Sequence, residues 1–433
     1  MRTVLIGTYE MGRQPFGLAS AAAWLGRAGW EVTSLDLSRQ ELDTRALAQA
    51  GMVGLYLPMH TATRLALALV PRLRAAAPHA RLVAFGLYAP INAELLRASG
   101  VDTVLGPEFE AELAGESSAT AAIPRLEFIA PERRGLPPPE AYAHLHLPDG
   151  SRRQTGYSEA SRGCKHHCRH CPIVPVYNGQ FRVVAPVVVL TDVRQQVAAG
   201  AEHITFGDPD FFNGPTHAMR IAEALHSEFP ELSFDVTIKI EHLLRHAALL
   251  PRLRDAGCVL VTTAVESFDD AVLARLDKGH TASDCFKVLE HTRTLGLALN
   301  PTFVSFTPWT TRASFGAMLE TLTAHGLAEQ VAPVQFGIRL LLPRGSRLLE
   351  LPDAPQWQGE LDEAALGYRW HALEPEADKL CRAVQDLVVA ATKARHPRAE
   401  IFERLAGLAG GVRRPPDAMP RATIPYLDEP WFC

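Results

Sequence analysis

Nine residues, Gly163-Cys164-Lys165-His166-His167-Cys168-Arg169-His170-Cys171, constrain this chain more than any other stretch. Thiolates are soft ligands suited to iron–sulfur clusters and to zinc. Three of them within eight residues reach one metal centre only if the backbone curls around it. Gly163 permits that curl, and Pro172 ends it by barring a regular ladder. The preceding segment, Thr155 to Ala160, reads as a strand. Three ligands are one short of a closed four-coordinate site, so a [4Fe–4S] cube held here keeps one iron open to a substrate or cofactor. Zinc is the other reading of the three cysteines alone, with His166, His167 or His170 supplying a closing ligand.

Composition narrows the class. The chain has 433 residues, 47% of them hydrophobic and 21% charged, which suits globular domains with full cores. A net charge of −5 leaves no general basic field for nucleic acid. The other four cysteines, Cys258, Cys285, Cys381 and Cys433, are scattered, which is no disulfide framework. Met1 to Gly7 reads as a strand rather than a signal peptide. No apolar run approaches the roughly 20 residues of a membrane span, so a cytoplasmic location is expected.

Residues 1–118 alternate short apolar runs with helical patterns. Strands are expected at Thr3 to Ile6, Glu31 to Leu35, Met52 to Leu57, Leu82 to Phe85 and Asp102 to Leu105. Helices are expected at Leu18 to Ala28, Thr61 to Ala77 and Ala89 to Ala98. This alternation predicts a doubly wound parallel sheet. Ligands of such sheets bind beyond the carboxyl ends of the strands, where the loops carry Tyr9, Gln14, Met59, His60, Gly86 and Tyr88. Residues 119–152 read as a linker ending in a hairpin, with His144 and His146 on one strand face.

Residues 153–345 read as repeated βα units. Strands are expected at His203 to Phe206, Ser233 to Ile240, Val259 to Ala264, Ala298 to Val304 and Val334 to Leu341. Helices are expected at Val187 to Ala199, Thr216 to Glu228, Leu243 to Ala256, Asp269 to Leu276, Ser283 to Leu295 and Ala313 to Ala324. With the strand before the cysteines, six strands make an α/β partial barrel of the (β/α)6 kind. Residues 346–433 read as a helical extension, Glu374 to Leu408 with a break near Pro397. An extended tail ending Trp431-Phe432-Cys433 follows. Its aromatics need somewhere to bury, so the tail is expected to fold back on the protein.

Cys-x-x-x-Cys-x-x-Cys after the first strand of such a series resembles the radical S-adenosylmethionine (radical SAM) enzymes. His170 stands where that family usually has an aromatic residue. The resemblance implies a [4Fe–4S] cluster on Cys164, Cys168 and Cys171, with SAM on the open iron. It further implies reductive cleavage of SAM to a 5′-deoxyadenosyl radical that abstracts hydrogen from substrate. A small-molecule or peptide substrate and an electron donor such as flavodoxin or ferredoxin are implied, with no nucleic acid and no membrane. Gly207 and Asp208 match the place of the family's Gly-Gly-Glu motif, which receives the SAM amino group. Glu266 and Ser267 resemble the ribose-contacting position. Lys239 and Lys278 are cations placed to pair with the SAM carboxylate. Asn300 and Thr302 lie near the cofactor face, and Arg339 in strand six needs a partner. The plain alternatives are that Glu266 caps the next helix and that Arg339 makes a structural ion pair.

The first domain is similar to the cobalamin-binding domain that precedes many radical SAM domains. Its Asp-x-His-x-x-Gly motif is not intact: Tyr9 holds the histidine position in Gly7-Thr8-Tyr9-Glu10-Met11-Gly12. A histidine ligand to cobalt from this loop is not expected, and cobalamin binding stays open. With cobalamin, methyl transfer is the implied chemistry; without it, rearrangement or carbon–heteroatom bond formation. The tail resembles a narrower group ending Cys-Sec-Ala-Glu-Pro or Cys-Cys-Ala-Glu-Pro. On that resemblance Cys433 is a candidate redox or catalytic thiol and the chain is expected to continue through selenocysteine; a true end at a free cysteine is the alternative.

Overall fold

The computed structural model describes residues 1–116, 126–328, 330–411 and 424–428. Five strands form the first sheet: β1 (Arg2–Gly7), β2 (Glu31–Asp36), β3 (Met52–Tyr56), β4 (Arg81–Phe85) and β5 (Thr103–Val104), all parallel in the order β2-β1-β3-β4-β5. Side chains alternate between faces along a strand. Val4, Ile6, Val53, Leu55, Leu82 and Ala84 pack with Ala66, Val70 and Leu73 of the helix His60–Ala76. Leu5, Met52, Tyr56, Val83 and Phe85 pack on the other face with Leu18 to Leu25 of the helix Phe16–Arg27. Burial on both faces is why these strands read as unbroken apolar runs.

The hairpin expected before the cysteines is present as β6 (His144–His146) paired antiparallel with β7 (Arg152–Ser158). A short ribbon follows, β8 (Ser161–Gly163) with β9 (Phe181–Val183). It closes the base of the cysteine loop. The barrel continues through β10 (His203–Phe206), β11 (Ser233–Thr237), β12 (Cys258–Glu266) and β13 (Ala298–Phe303). These four and β7 are parallel neighbours in the order β13-β12-β11-β10-β7. A second hairpin, β14 (Gln358–Asp362) with β15 (Gly367–Trp370), was not expected from the sequence. β16 (Tyr426–Leu427) pairs with β6, so the tail does return to the protein, while Trp431 to Cys433 lie outside the described residues.

The sixth barrel strand is reduced. Val334 to Leu341 was expected to be extended, but Pro333–Gly337 is a 3₁₀ turn, and one bridge, Phe306 to Arg339, marks the sixth position. Gln335 explains this locally. Its side chain accepts from the Phe303 N–H at 3.0 Å and its carbonyl accepts from Ser305 Oγ at 2.8 Å. The edge of β13 is thus satisfied without a long ladder. Two further expectations shift in the next βα unit. β11 ends at Thr237, and the helix expected over Leu243 to Ala256 is split into Ile240–Arg245 and Leu250–Asp255, with Pro251 opening the second piece. Ala89 to Ala98 is likewise two short helices. The C-terminal helices Pro375–Lys393 and Arg398–Ala409 join the barrel's core through Leu380, Val384, Phe402 and Leu405.

Arg133 fastens the linker to the barrel. Its guanidinium meets Asp192 at 2.7 and 2.9 Å and the Tyr157 carbonyl at 2.8 Å, and it reaches Gln14 of the first domain. The Asp192 side chain is 1% exposed. Arg133→Met strands that carboxylate and is expected to cost about 3–5 kcal/mol. Urea denaturation monitored by circular dichroism reads this, and a loss under about 1 kcal/mol, the range of an exposed pair, would show that the bridge does not hold the linker.

Candidate cluster and cofactor site

The cysteine loop leaves β8 at Gly163, whose φ of +75° suits glycine; a Cβ there would stand 2.5 Å from the Gln180 carbonyl. Three outside contacts fix the loop. Asn213 Oδ1 accepts from the Lys165 N–H at 3.3 Å. The Arg169 N–H donates to the Leu276 carbonyl at 2.9 Å, and its guanidinium covers Ala274 and Arg275 at a helix C-terminus. Ser346 Oγ donates to the Arg169 carbonyl at 3.0 Å.

Cys164, Cys168 and Cys171 are free thiols, Cys168 buried and the other two half-buried. Burial pushes the Cys171 thiol up to about 12, with Cys168 and Cys164 adding to the rise, so the three share one electrostatic neighbourhood. Cys164 is raised for the same first reason. Two ammonium groups face them. Lys239 Nζ is 3.8 Å from Cys168 Sγ. Lys278 is buried; burial works against its charge, but Glu266 and the thiols Cys168 and Cys171 raise it above its ordinary value. Three soft donors on one curled loop, opposed by buried positive charge, fit a thiolate-held cluster.

Glu266 ends β12 at φ +68°, a strained position for a side-chain-bearing residue. The turn aims its carboxylate at Lys278 Nζ (3.2 Å) and His170 Nε2 (3.2 Å). Burial opposes its charge, but the Lys278 ammonium and His170 hold it well below the usual carboxylate range. Glu266 does not cap the next helix; Asp269 does. Lys239 is the residue before the helix Ile240–Arg245 rather than a strand end.

Gly207 follows β10, and a Cβ there would fall 1.8 Å from the Tyr157 hydroxyl, so only bare backbone fits. Asp208 accepts from the Ala160 N–H at 2.8 Å and from Ser161 Oγ. Both residues border a cavity of about 330 Å³ between barrel and first domain, whose wall includes Glu10, Tyr56, Met59, Gly86, Phe109 and Tyr177. Thr302 and Asn300 line an adjoining lumen of about 200 Å³ with Asp235, Thr262 and Tyr426.

Three expected cofactor contacts are placed elsewhere. Arg339 is an ion pair with Asp378 (2.6 Å) and lies 3.5 Å over the Trp370 ring, held by the C-terminal extension rather than the site. Ser267 accepts from the Asp269 N–H at 3.0 Å and lines a different cavity, beside Phe268 and Met318. His60 Nε2 is bound to the Ala365 carbonyl at 2.7 Å. Tyr9 is buried, and Cys433 lies outside the described residues. Among residues not singled out from the sequence, Arg162 ion-pairs with Glu110 (2.6 Å) and Glu159 (2.7 Å), with Glu108 at 3.8 Å. Tyr177 donates to Glu108 at 2.7 Å. The signal available was position: Arg162 stands two residues before the first cysteine.

A loop of three free thiols at the carboxyl edge of a partial parallel barrel, faced by a doubly wound sheet, is an arrangement able to hold a thiolate-ligated metal centre. Residues 158–308 match the family model of the radical SAM superfamily. Hopanoid C-3 methylase of Methylococcus capsulatus is 25% identical over 151 residues, 35% of this chain and 29% of that protein. The ribosomal protein uS12 methylthiotransferase RimO of Porphyromonas gingivalis is 26% identical over 210 residues, 44% of this chain and 43% of that protein. The chain therefore spans less than half the length of either. In fold, it resembles the cobalamin-dependent radical SAM enzyme OxsB at TM-score 0.68 and 12% identity, over 90% of this chain and 67% of that one. It also resembles the radical SAM methyltransferase TsrM of Kitasatospora setae at TM-score 0.56 and 17% identity, over 76% and 70%. Among the described residues no helix is long and apolar enough to cross a membrane.

Asp208 gives a pH test. Burial pushes its carboxyl up to about 7 from an ordinary 3.8. Between these values the unfolded chain loses the proton and the folded chain keeps it. Stability therefore falls as pH rises through that window, and the penalty is complete above it. Asp208→Asn should remove this fall: relative to wild type, its urea midpoint should climb between pH 4 and pH 8. A difference that stays flat across that range would show that Asp208 is ionised in the fold at acid pH.

Proposed function

We propose that the protein is a radical SAM enzyme in which Cys164, Cys168 and Cys171 hold a [4Fe–4S] cluster that binds SAM on its open iron. The observation that carries this reading is the gathering of three free thiols beside Lys239 and Lys278 on the rim that also presents Gly207 and Glu266. When bound, such a cluster supplies the electron for reductive cleavage of SAM. The protein's part is positional and electrostatic. Bare backbone at Gly207 and the Asp208 carboxyl receive the amino group. Ionised Glu266 accepts from ribose hydroxyls. Lys239 and Lys278 offer positive charge to the carboxylate and offset the charge of the thiolates.

Methyl transfer assisted by cobalamin is the finer reading, supported by the names of the methylase and methyltransferase relatives and by the two-domain fold. The cleft fits the group only in part. Its wall of Tyr56, Met59, Leu87 and Phe109 is apolar, and Gly86, at φ +109°, leaves bare backbone there. No histidine is among the described residues lining it, so this wall would offer cobalamin no imidazole ligand. At about 330 Å³ the cleft is near the lower limit for ligand pockets. The substrate proposed is a small molecule or peptide segment entering the lumen, with a flavodoxin or ferredoxin as electron donor.

Anaerobic reconstitution with iron and sulfide, followed by reduction with SAM, should yield 5′-deoxyadenosine, and Cys168→Ala should abolish it. A colourless, zinc-loaded protein that makes none would overturn the reading. Retention of hydroxocobalamin through gel filtration tests the finer reading separately.

A further inference from the structure

Beside the cysteine loop lies a second set of metal-ligand side chains that contains no sulfur. His166 comes from the loop itself, Asp210 from the turn after β10, and His242 from the helix Ile240–Arg245. One ligand atom from each lies within 4.8 Å of the others. Asp210 and His242 have side chains that are 0% exposed, and His166 is 14% exposed.

Four polar atoms at this place lack an aligned hydrogen bond. Asp210 Oδ1 accepts from the Phe212 N–H at 3.0 Å, which fixes the carboxylate. Its Oδ2 faces His242 Nδ1 at 2.7 Å and His166 Nε2 at 3.6 Å. Yet Asp210 Oδ2, His166 Nε2 and both ring nitrogens of His242 are buried without a hydrogen-bond partner among the described residues. A plain aspartate–imidazolium pair would align an N–H with the oxygen at such a distance. Here the atoms converge without that alignment, and buried polar groups are seldom left so. Convergence of lone pairs on one point is what a cation requires. Tetrahedral zinc with bonds near 2.1 Å sets its ligand atoms roughly 3.4 Å apart; the His166–Asp210 separation of 3.6 Å is close to this, while His242 Nδ1, at 2.7 Å from Asp210 Oδ2, must draw back to admit the ion.

A carboxylate also stands behind one imidazole. Glu241 Oε2 is 3.7 Å from His166 Nδ1, the nitrogen turned away from Asp210, and Glu241 is itself held by Arg245 at 2.7 Å. Metal-bound histidines commonly give their second N–H to such a carboxylate, which fixes tautomer and ring orientation. We propose that His166, Asp210 and His242 form a mononuclear site for a divalent transition-metal ion, zinc or ferrous iron, distinct from the thiolate cluster, with Glu241 orienting His166. Two imidazoles and a carboxylate suit either ion. The ion ties the cysteine loop to the ends of β10 and β11, so it fixes the backbone between the first two cluster ligands.

The test uses the full chain with Cys164, Cys168 and Cys171 all changed to alanine, so that it stands apart from the cluster reading. Elemental analysis of that chain as purified should find one zinc or iron per molecule, and names the ion. After chelation, anaerobic Co²⁺ titration should give visible d–d bands without the near-ultraviolet thiolate-to-cobalt band. Adding His242→Ala should abolish binding, and adding Glu241→Gln should weaken it about tenfold or more. Should the His242→Ala chain fail to fold by circular dichroism, His166→Gln on the partly exposed ligand carries the same test. A folded triple variant that binds neither Zn²⁺ nor Co²⁺, or binds them equally well after His242→Ala or His166→Gln, would overturn the proposal.

Discussion

Arg162 is the point on which the two halves of the site depend. One buried guanidinium stands among Glu108 and Glu110 of the first domain and Glu159 of the barrel. Ser20 of the helix Phe16–Arg27 donates to Glu110 at 2.7 Å, and Tyr177 of the cysteine loop donates to Glu108. Buried charge is costly unless paired, and here three carboxylates share one cation. Protons settle the remainder. Burial pushes Glu108 up to about 7 and raises Glu159, with Arg162 opposing both. Arg162 is two residues before Cys164, so the packing of the domains fixes where the cluster loop begins.

The opposite rim has the complementary charge. Lys278 and Lys239 stand against the thiols, and Glu266 is ionised between Lys278 and His170. Charge and hydrogen bonds around the sulfurs tune a cluster's potential, and this rim supplies both from the start of the helix Ile240–Arg245, the end of β12 and the turn after the helix Asp270–Leu276. The strain of Glu266 at φ +68° costs of order 1–3 kcal/mol, and its ion pair with Lys278 offsets that cost. His170, which departs from the family's usual aromatic residue, thereby has a physical use: a flat ring with a polar edge can both pack and bond the carboxylate.

The sequence made the repeating units legible because parallel strands buried on both faces are continuous apolar runs, and because Gly257 and Gly296 mark helix ends plainly. The three-cysteine loop was legible from local spacing alone. What escaped was non-local. Gln335 replaces a strand's hydrogen bonds with its side chain, which no periodicity reveals. Arg339 is recruited by Asp378 and Trp370, far along the chain. Asp210 and His242 are 32 positions apart in sequence and meet only because β10 and β11 are neighbours. His203 and Asp235, bonded at 2.8 Å in the buried sheet, meet for the same reason.

The chain's late segments complete the space that its early segments begin. Tyr426 stacks on His146 at 4.8 Å between ring centres, and Asp428 bonds the same histidine at 3.0 Å. These contacts hold β16 as an added strand beside β6, and Tyr426 and Leu427 then line the lumen with Thr302 and Asp235. Met11 and Arg13 of the first domain line both that lumen and the cavity between the domains. This joined space is therefore bounded by first domain, barrel strands and tail together. A change in the tail alters the lumen without touching a thiol, so the shape of that space and the course of the cysteine loop rest on different parts of the sequence.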